Sequence, residues 1–258
     1  MQVDDAKLAR LKRFNLIMFF LHLIQGVFMV ALSNDTSFPV YAFLLQFDEA
    51  TRTLVPSVRV LFELPFGLCV SLFLFLSAIA HLYLATLGYD RYKRNLKLGM
   101  NPDRFYEYAL SSSLMIVLIG ILVGIRDAAA LTAMFGANAA MNFFGIMMER
   151  LNPGYEKRDV KWAPFVYGCI TGVFPWIAIF GYFYGSIYES AAKPPGFVYA
   201  IVPTIFVFFS IFALNMFLQY KKAGPWRDYL FGEKMFIVLS LLSKSALAWQ
   251  IWVGTLMP

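Results

Sequence analysis

Seven long apolar runs constrain the fold of this chain more than any other feature. They cover about 14–33, 59–88, 104–126, 128–149, 163–186, 197–220 and 235–257. Each is close to or above the roughly 20 residues that a helix needs to cross a bilayer. Inside lipid the backbone has no water to bond, so a spanning segment must satisfy its own N–H and C=O groups, as a helix does. Only 15% of the residues are charged, against about 25% in a soluble domain. The expectation is an all-α membrane protein: one domain over 1–258, a seven-transmembrane helix bundle surrounded by membrane lipid. The mostly short connections favour up-and-down packing. The first ten residues are polar and the first apolar run is already of spanning length, so no cleaved leader is expected.

The net charge of +6 follows the topology, and a nucleic-acid partner is not expected. Seventeen of the basic residues fall on one side: Lys7, Arg10, Lys12 and Arg13; Arg91, Lys93, Arg94, Lys97 and Arg104; Arg150, Lys157, Arg158 and Lys161; Lys221, Lys222, Arg227 and Lys234. Only Arg52, Arg59, Arg126 and Lys193 fall on the other. The positive-inside rule then predicts a multi-pass protein of the cell membrane with a cytoplasmic N-terminus and an extracellular C-terminus. In the outer loop over 34–58, Val40–Phe47 and Arg52–Val55 flank the polar Asp48-Glu-Ala-Thr51, which predicts a small β-hairpin. Pro65 predicts a kink or an extension of the long second run, with Glu63 near its outer end. Pro194-Pro195-Gly196 and Gly224-Pro225 mark breaks on either side of the sixth run. Cys69 and Cys169 lie inside runs without a Cys-x-x-Cys spacing and read as small packing residues. No internal repeat is apparent, which counts against an inverted-repeat transporter.

Lys244 stands in the middle of the last run. A charged group at that depth costs about 3 kcal/mol on insertion scales. It lies ten residues beyond Lys234, or roughly 15 Å along a helix, too deep to snorkel easily to the interface. Three solutions stand open: a buried carboxylate partner, a neutral desolvated amine, or a covalent imine with a carbonyl ligand. Glu107, near the cytoplasmic start of the third run, is the natural partner. Ser111 follows Glu107 by four residues and Ser240 precedes Lys244 by four, so each hydroxyl shares a helix face with a charge. The competing reading pairs Glu107 with Arg104 or leaves it solvated at the headgroups. His22 and His81 are the only histidines and fall within runs at similar depth. They read either as the lining of a hydrated, proton-exchanging cavity or as hydrogen-bonded packing residues. No third ligand is spaced to complete a zinc site. Phe174-Pro175-Trp176, Phe206-Val-Phe208-Phe209 and Trp249, set among Gly136, Ala137, Ala140, Gly168 and Gly172, suit a flat slot for a rigid ligand or ordinary helix packing.

Glu107-Tyr-Ala-Leu-Ser-Ser-Ser113, Ser240-Leu-Leu-Ser-Lys244-Ser-Ala-Leu-Ala-Trp-Gln250, Phe174-Pro-Trp176 and Pro195-Gly-Phe-Val-Tyr199 together resemble the heliorhodopsins, microbial retinal proteins with a rhodopsin-like bundle. The resemblance runs over nearly the whole chain, the hairpin loop included. It implies all-trans retinal held on Lys244 as a protonated Schiff base, with Glu107 as counterion and Ser240 in its hydrogen-bonded surroundings. It implies that Trp176 and Phe209 enclose the polyene, that Asn138 and Met141 form the fourth-span wall, and that His22 and His81 line the proton-accepting cavity. It also implies a homodimer and light sensing with a slow photocycle, read by an unidentified cytoplasmic signalling partner. Outward proton-pumping rhodopsins resemble one another in a second carboxylate three turns after the counterion, where this chain has Leu118. A light-gated proton channel or transporter is the alternative, and a membrane enzyme using Lys244 as an amine catalyst is a third reading. With no nucleotide motif and no hydrolytic triad, an enzyme is not expected.

Overall fold

The computed structural model describes residues 5–154, 159–190 and 198–257. In chain order the elements are α1 (Asp5–Leu32), β1 (Ser37–Asp48), β2 (Thr53–Pro65), α2 (Phe66–Ala85), α3 (Tyr89–Lys97), α4 (Asp103–Leu122), α5 (Ala128–Leu151), α6 (Ala163–Glu189), α7 (Val198–Tyr220) and α8 (Tyr229–Ile251). A short 3₁₀ turn, Gly224–Arg227, joins α7 to α8, and a π-helical turn, Trp252–Leu256, ends the last helix. Seven of the described helices are long and apolar enough to cross a membrane: all but α3. Sequence neighbours pack on one another, α1 on α2, α4 on α5, α5 on α6 and α7 on α8, and α1 meets α8 to close the bundle. Lys157, Arg158, Lys193 and the Pro194–Gly196 break lie outside the described residues.

The second apolar run divides where the sequence reading kept it whole. Residues 59–65 are strand, and α2 begins only at Phe66. The hairpin is therefore longer than expected, with Ser37 opposite Pro65 and Asp48 opposite Thr53 in antiparallel register and an irregularity between Val40 and Tyr41. Pro65 neither kinks nor extends a helix; it caps α2 in an extended conformation (φ −70°, ψ 102°). Its ring is barred from a helix interior but suits the residue just outside a first turn. The alternation Thr53-Leu-Val-Pro-Ser-Val-Arg-Val60 has the period of two and the β-branching that favour a strand. Glu63 thus sits on β2, where the Ser37 hydroxyl donates to its carboxylate at 3.4 Å.

The hairpin is rooted by backbone bonds. Tyr41 N–H donates to the Arg126 carbonyl at 2.8 Å, and Asn34 N–H donates to the Leu256 carbonyl at 3.0 Å. Asp127 caps α5 by accepting the Ala130 N–H at 2.8 Å. At the other end of the bundle α3 forms a short polar helix between two of the spanning helices.

Glycines set two close helix approaches. A Cβ on Gly145 would lie 2.4 Å from the Phe105 ring, and one on Gly172 would lie 2.4 Å from Met141 Sδ. These glycines let α5 press against α4 and α6, beside the site described next. Cys69 and Cys169 are both free.

Candidate functional site

α8 carries Lys244 on a buried stripe with Glu233, Ile237, Ser240 and Leu247. Helical side chains lean toward the helix N-terminus, so Lys244 reaches back one turn, and its Nζ donates to Ser240 Oγ at 3.1 Å. The same ammonium donates to Glu107 Oε1 at 2.7 Å. Lys244 is 2% exposed, so the charge is matched inside the bundle and not at its surface. The Ser77 hydroxyl of α2 also donates to Glu107 Oε1 at 2.7 Å, a partner the sequence reading missed. Ser111 is fully buried beside the same carboxylate but does not meet hydrogen-bond geometry with it.

Two cavities meet at this ion pair. One is an apolar slot between α4, α5, α6, α7 and α8, with Lys244, Ser243, Met141, Phe209 and Phe212 on its walls. The other, about 480 Å³ in volume, gathers the polar groups Glu107, Ser240, His81, Asn15, Asn101, Arg104 and Glu233 among apolar neighbours such as Leu76, Ile79 and Leu110, and is the more polar of the two. Tyr108 and Phe236 face both and form the partition. Lys244 Nζ lies 5.2 Å from the Tyr108 ring centroid, an additional cation–π contact on that partition.

Met141 and Phe209 therefore stand on the slot itself. Trp176 lies behind Phe209, edge-on at 5.3 Å between ring centroids, and also packs on Phe206 at 5.1 Å. Asn138 sits one layer back and donates to Ser112 at 2.7 Å and Ser113 at 3.1 Å; Ser112 reaches the slot. On the polar side the His22 and His81 rings stack, with centroids 5.4 Å apart and planes 11° apart. His81 Nδ1 shares a 2.7 Å hydrogen bond with Asn15 Oδ1, whereas neither ring nitrogen of His22 has a partner. Two stacked buried imidazoles, one without a hydrogen bond, suit a place for water better than dry packing.

Arg104 does not take Glu107. Its guanidinium bridges Glu149 of α5 and Glu233 of α8. Neither glutamate was singled out from the sequence, because each precedes a basic residue, Arg150 or Lys234, at the end of a run and resembles an interfacial charge. The signal that finds Glu233 is helical phase: carried back from Lys244 and Ser240, the buried stripe of α8 lands on it.

A family model for heliorhodopsins matches residues 11–256. Among solved structures the chain is similar to a light-driven proton pump from Leptosphaeria maculans, at 15% identity and a TM-score of 0.63 over 96% of this chain and 97% of that one. It is also similar to a cyanorhodopsin from the cyanobacterium Tolypothrix, at 13% identity and a TM-score of 0.49 over 91% of each chain. At 15% identity the first likeness shows a shared fold and nothing about activity. No curated protein matches the chain.

Proposed function

The chain belongs to the heliorhodopsin family, and from that premise we propose that it is a light sensor carrying all-trans retinal on Lys244, with a slow photocycle and no net ion pumping. Family and fold make it a multi-pass membrane protein of the retinal photoreceptor type. The residues fit the chromophore: a buried primary amine opens on an apolar slot walled by Met141, Phe209 and Phe212. Retinal bound there supplies light absorption and a change of shape.

The protein's own groups do the rest. Glu107 balances the positive charge at Lys244 Nζ, while Ser77 and Ser240 hold the carboxylate and the nitrogen in register. Tyr108 and Phe236 separate the apolar slot from the hydrated side. A proton leaving Nζ enters the polar cavity beside His81, with His22 stacked behind it. Beyond Ser113 the buried side chains of α4 are Met115, Ile116, Leu118, Ile119 and Ile121, all at most 2% exposed. That apolar wall supports return of the proton along its outward path, which yields a long-lived state without transport.

The charge bias of the loops supports a cytoplasmic N-terminus, which places the polar cavity on the cytoplasmic side, where a signalling partner would read the change. The exposed Phe43, Leu45, Phe47 and Leu54 of the hairpin support a homodimer that covers them.

The observation that carries this reading is the 2.7 Å Lys244–Glu107 bond at the seam of two cavities, an apolar slot on the Lys244 side and one that gathers Arg104, His81 and Glu233 on the Glu107 side. Its test is the visible spectrum of purified protein after addition of all-trans retinal, with Lys244→Ala alongside. A band in the wild type and none in Lys244→Ala is expected; absence of colour in both would overturn the assignment. The volume of the polar cavity favours a second reading, a light-gated proton channel. Light-dependent current across a voltage-clamped membrane would select it.

A further inference from the structure

The polar cavity does not end at the histidines. It runs from Glu107 and Ser240 to Asn101, Arg104 and Glu233, and on to Arg91 and Asp103. Beside it stands a chain of polar side chains. His81 shares a hydrogen bond with Asn15 at 2.7 Å, Asn15 lies by the Tyr92 hydroxyl, and that hydroxyl donates to Glu233 Oε1 at 3.1 Å.

At the far end, Arg104 faces two carboxylates with one positive charge. All four of their oxygens accept hydrogen bonds. Glu233 takes them from Arg104, Tyr92 and Asn101 Nδ2, and Glu149 from Arg104, Tyr229 and the Asn101 N–H. Every partner in this shell is a donor, so it is drawn for two carboxylates against one guanidinium. The cluster then carries one excess negative charge, with Glu149 and Glu233 at most 1% exposed. The other titratable groups around it are Tyr108 of α4, Tyr220 of α7, His81 of α2 and the Arg91–Asp103 ion pair, which is balanced at 2.6 Å. Arg104 Nε is buried without a hydrogen-bond partner, a vacant donor at which water can anchor.

A proton placed on Glu107 would sit one hydrogen bond from Nζ and return at once. A lasting separation needs an acceptor further off. Of the two clustered glutamates only Glu233 lines the cavity. We propose that Glu233 holds the proton that leaves Lys244 Nζ, while Glu149 stays ionised and keeps Arg104 paired. On arrival the excess charge of the cluster is cancelled, and the Tyr92 hydroxyl can turn from donor to acceptor for the new carboxyl O–H. This rests on the retinal reading above and adds the acceptor to it.

The test is a light-minus-dark infrared difference spectrum of the pigment. A carboxylic-acid C=O band should rise as Nζ loses its proton. It should vanish in Glu233→Gln, reappear at a shifted frequency in Glu233→Asp, and persist in Glu63→Gln on the hairpin. Since one unit of proton affinity is a tenfold change in equilibrium, Glu233→Gln should also return to the dark state about tenfold faster or more. In retinal-free protein, acid titration followed by infrared should show a carboxyl band that Glu233→Gln lacks. Persistence of the light-induced band in Glu233→Gln, its loss only in Glu107→Gln, or no carboxyl band at all would overturn the proposal. A wild type that forms no pigment would instead overturn the retinal reading.

Discussion

Helices α4 and α8 carry two buried ionic sites, built on opposite rules. The Lys244–Glu107 pair is balanced in charge but left incomplete in hydrogen bonds: Ser111 and both nitrogens of His22 have no partner, and cavities open on either side. The Arg104–Glu149–Glu233 cluster is unbalanced in charge but nearly complete in hydrogen bonds, with a donor on every carboxylate oxygen. A group that gives up a proton needs room and slack around it. A cluster that holds excess charge until a proton arrives needs a full shell, since ions in low dielectric are costly unless each lone pair is met. The chain places slack at the pair and rigidity at the cluster, roughly 16 Å apart along α8 from Glu233 to Lys244.

The comparison breaks most directly at Arg104. Arg104→Met would leave two buried carboxylates facing each other without a cation. Removing one partner from a buried ionic site costs about 3–5 kcal/mol. Thermal unfolding in detergent should show the largest drop of any single substitution considered for these sites. Replacing the whole set, Arg104→Met with Glu149→Gln and Glu233→Gln, should recover much of that loss. If the single variant is as stable as wild type, the cluster is not the closed unit that its hydrogen bonds describe.

Lys244→Met in the retinal-free protein makes the opposite experiment. It also removes one partner of a buried pair, yet the cavity at Glu107 has room for water, and Ser77 still donates to the carboxylate. The expected cost is smaller, about 1–3 kcal/mol, the range for a buried polar group left partly satisfied. Measured side by side with Arg104→Met, an equal or greater loss would erase the distinction between a slack site and a rigid one.

The two sites were also unequally legible in the sequence. Lys244 announced itself because a cation in the middle of an apolar run has no bland explanation, and Glu107 followed as a carboxylate near the start of another run, within reach of an extended lysine. Glu149 and Glu233 sit where charged residues are ordinary, and only the helical phase of α8 separates a buried glutamate from a solvated one. The hairpin shows the same limit. Its existence was readable from Asp48-Glu-Ala-Thr51 between apolar stretches, but its second strand merged with α2 because hydrophobicity alone cannot tell strand from helix in a continuous apolar run. Pairing with β1 decides that boundary, and pairing is a property of two segments at once.

The smallest effect tests how the cluster is fastened to the short helix α3. Tyr92 is 1% exposed, and its hydroxyl donates to Glu233. Burial, reinforced by the negative charge of Glu233, holds its phenol pKa well above the usual 10.0. At neutral pH Tyr92→Phe removes one hydrogen bond to a carboxylate whose other donors, Arg104 and Asn101, remain, so a loss of about 1 kcal/mol is expected. The alkaline side carries the sharper signature. Above the ordinary phenol pKa the unfolded chain releases this proton while the folded chain keeps it. The unfolded state then binds fewer protons, and stability falls as pH rises. Phenylalanine has no proton to release, so the variant should lose stability less steeply than wild type above about pH 10, and the two melting curves should converge there. Parallel curves would mean that Tyr92 is not held neutral by the cluster, and that α3 is fastened by its apolar cluster with Leu8 and Leu84 and by the ion pairs of Arg91, Lys93 and Lys97.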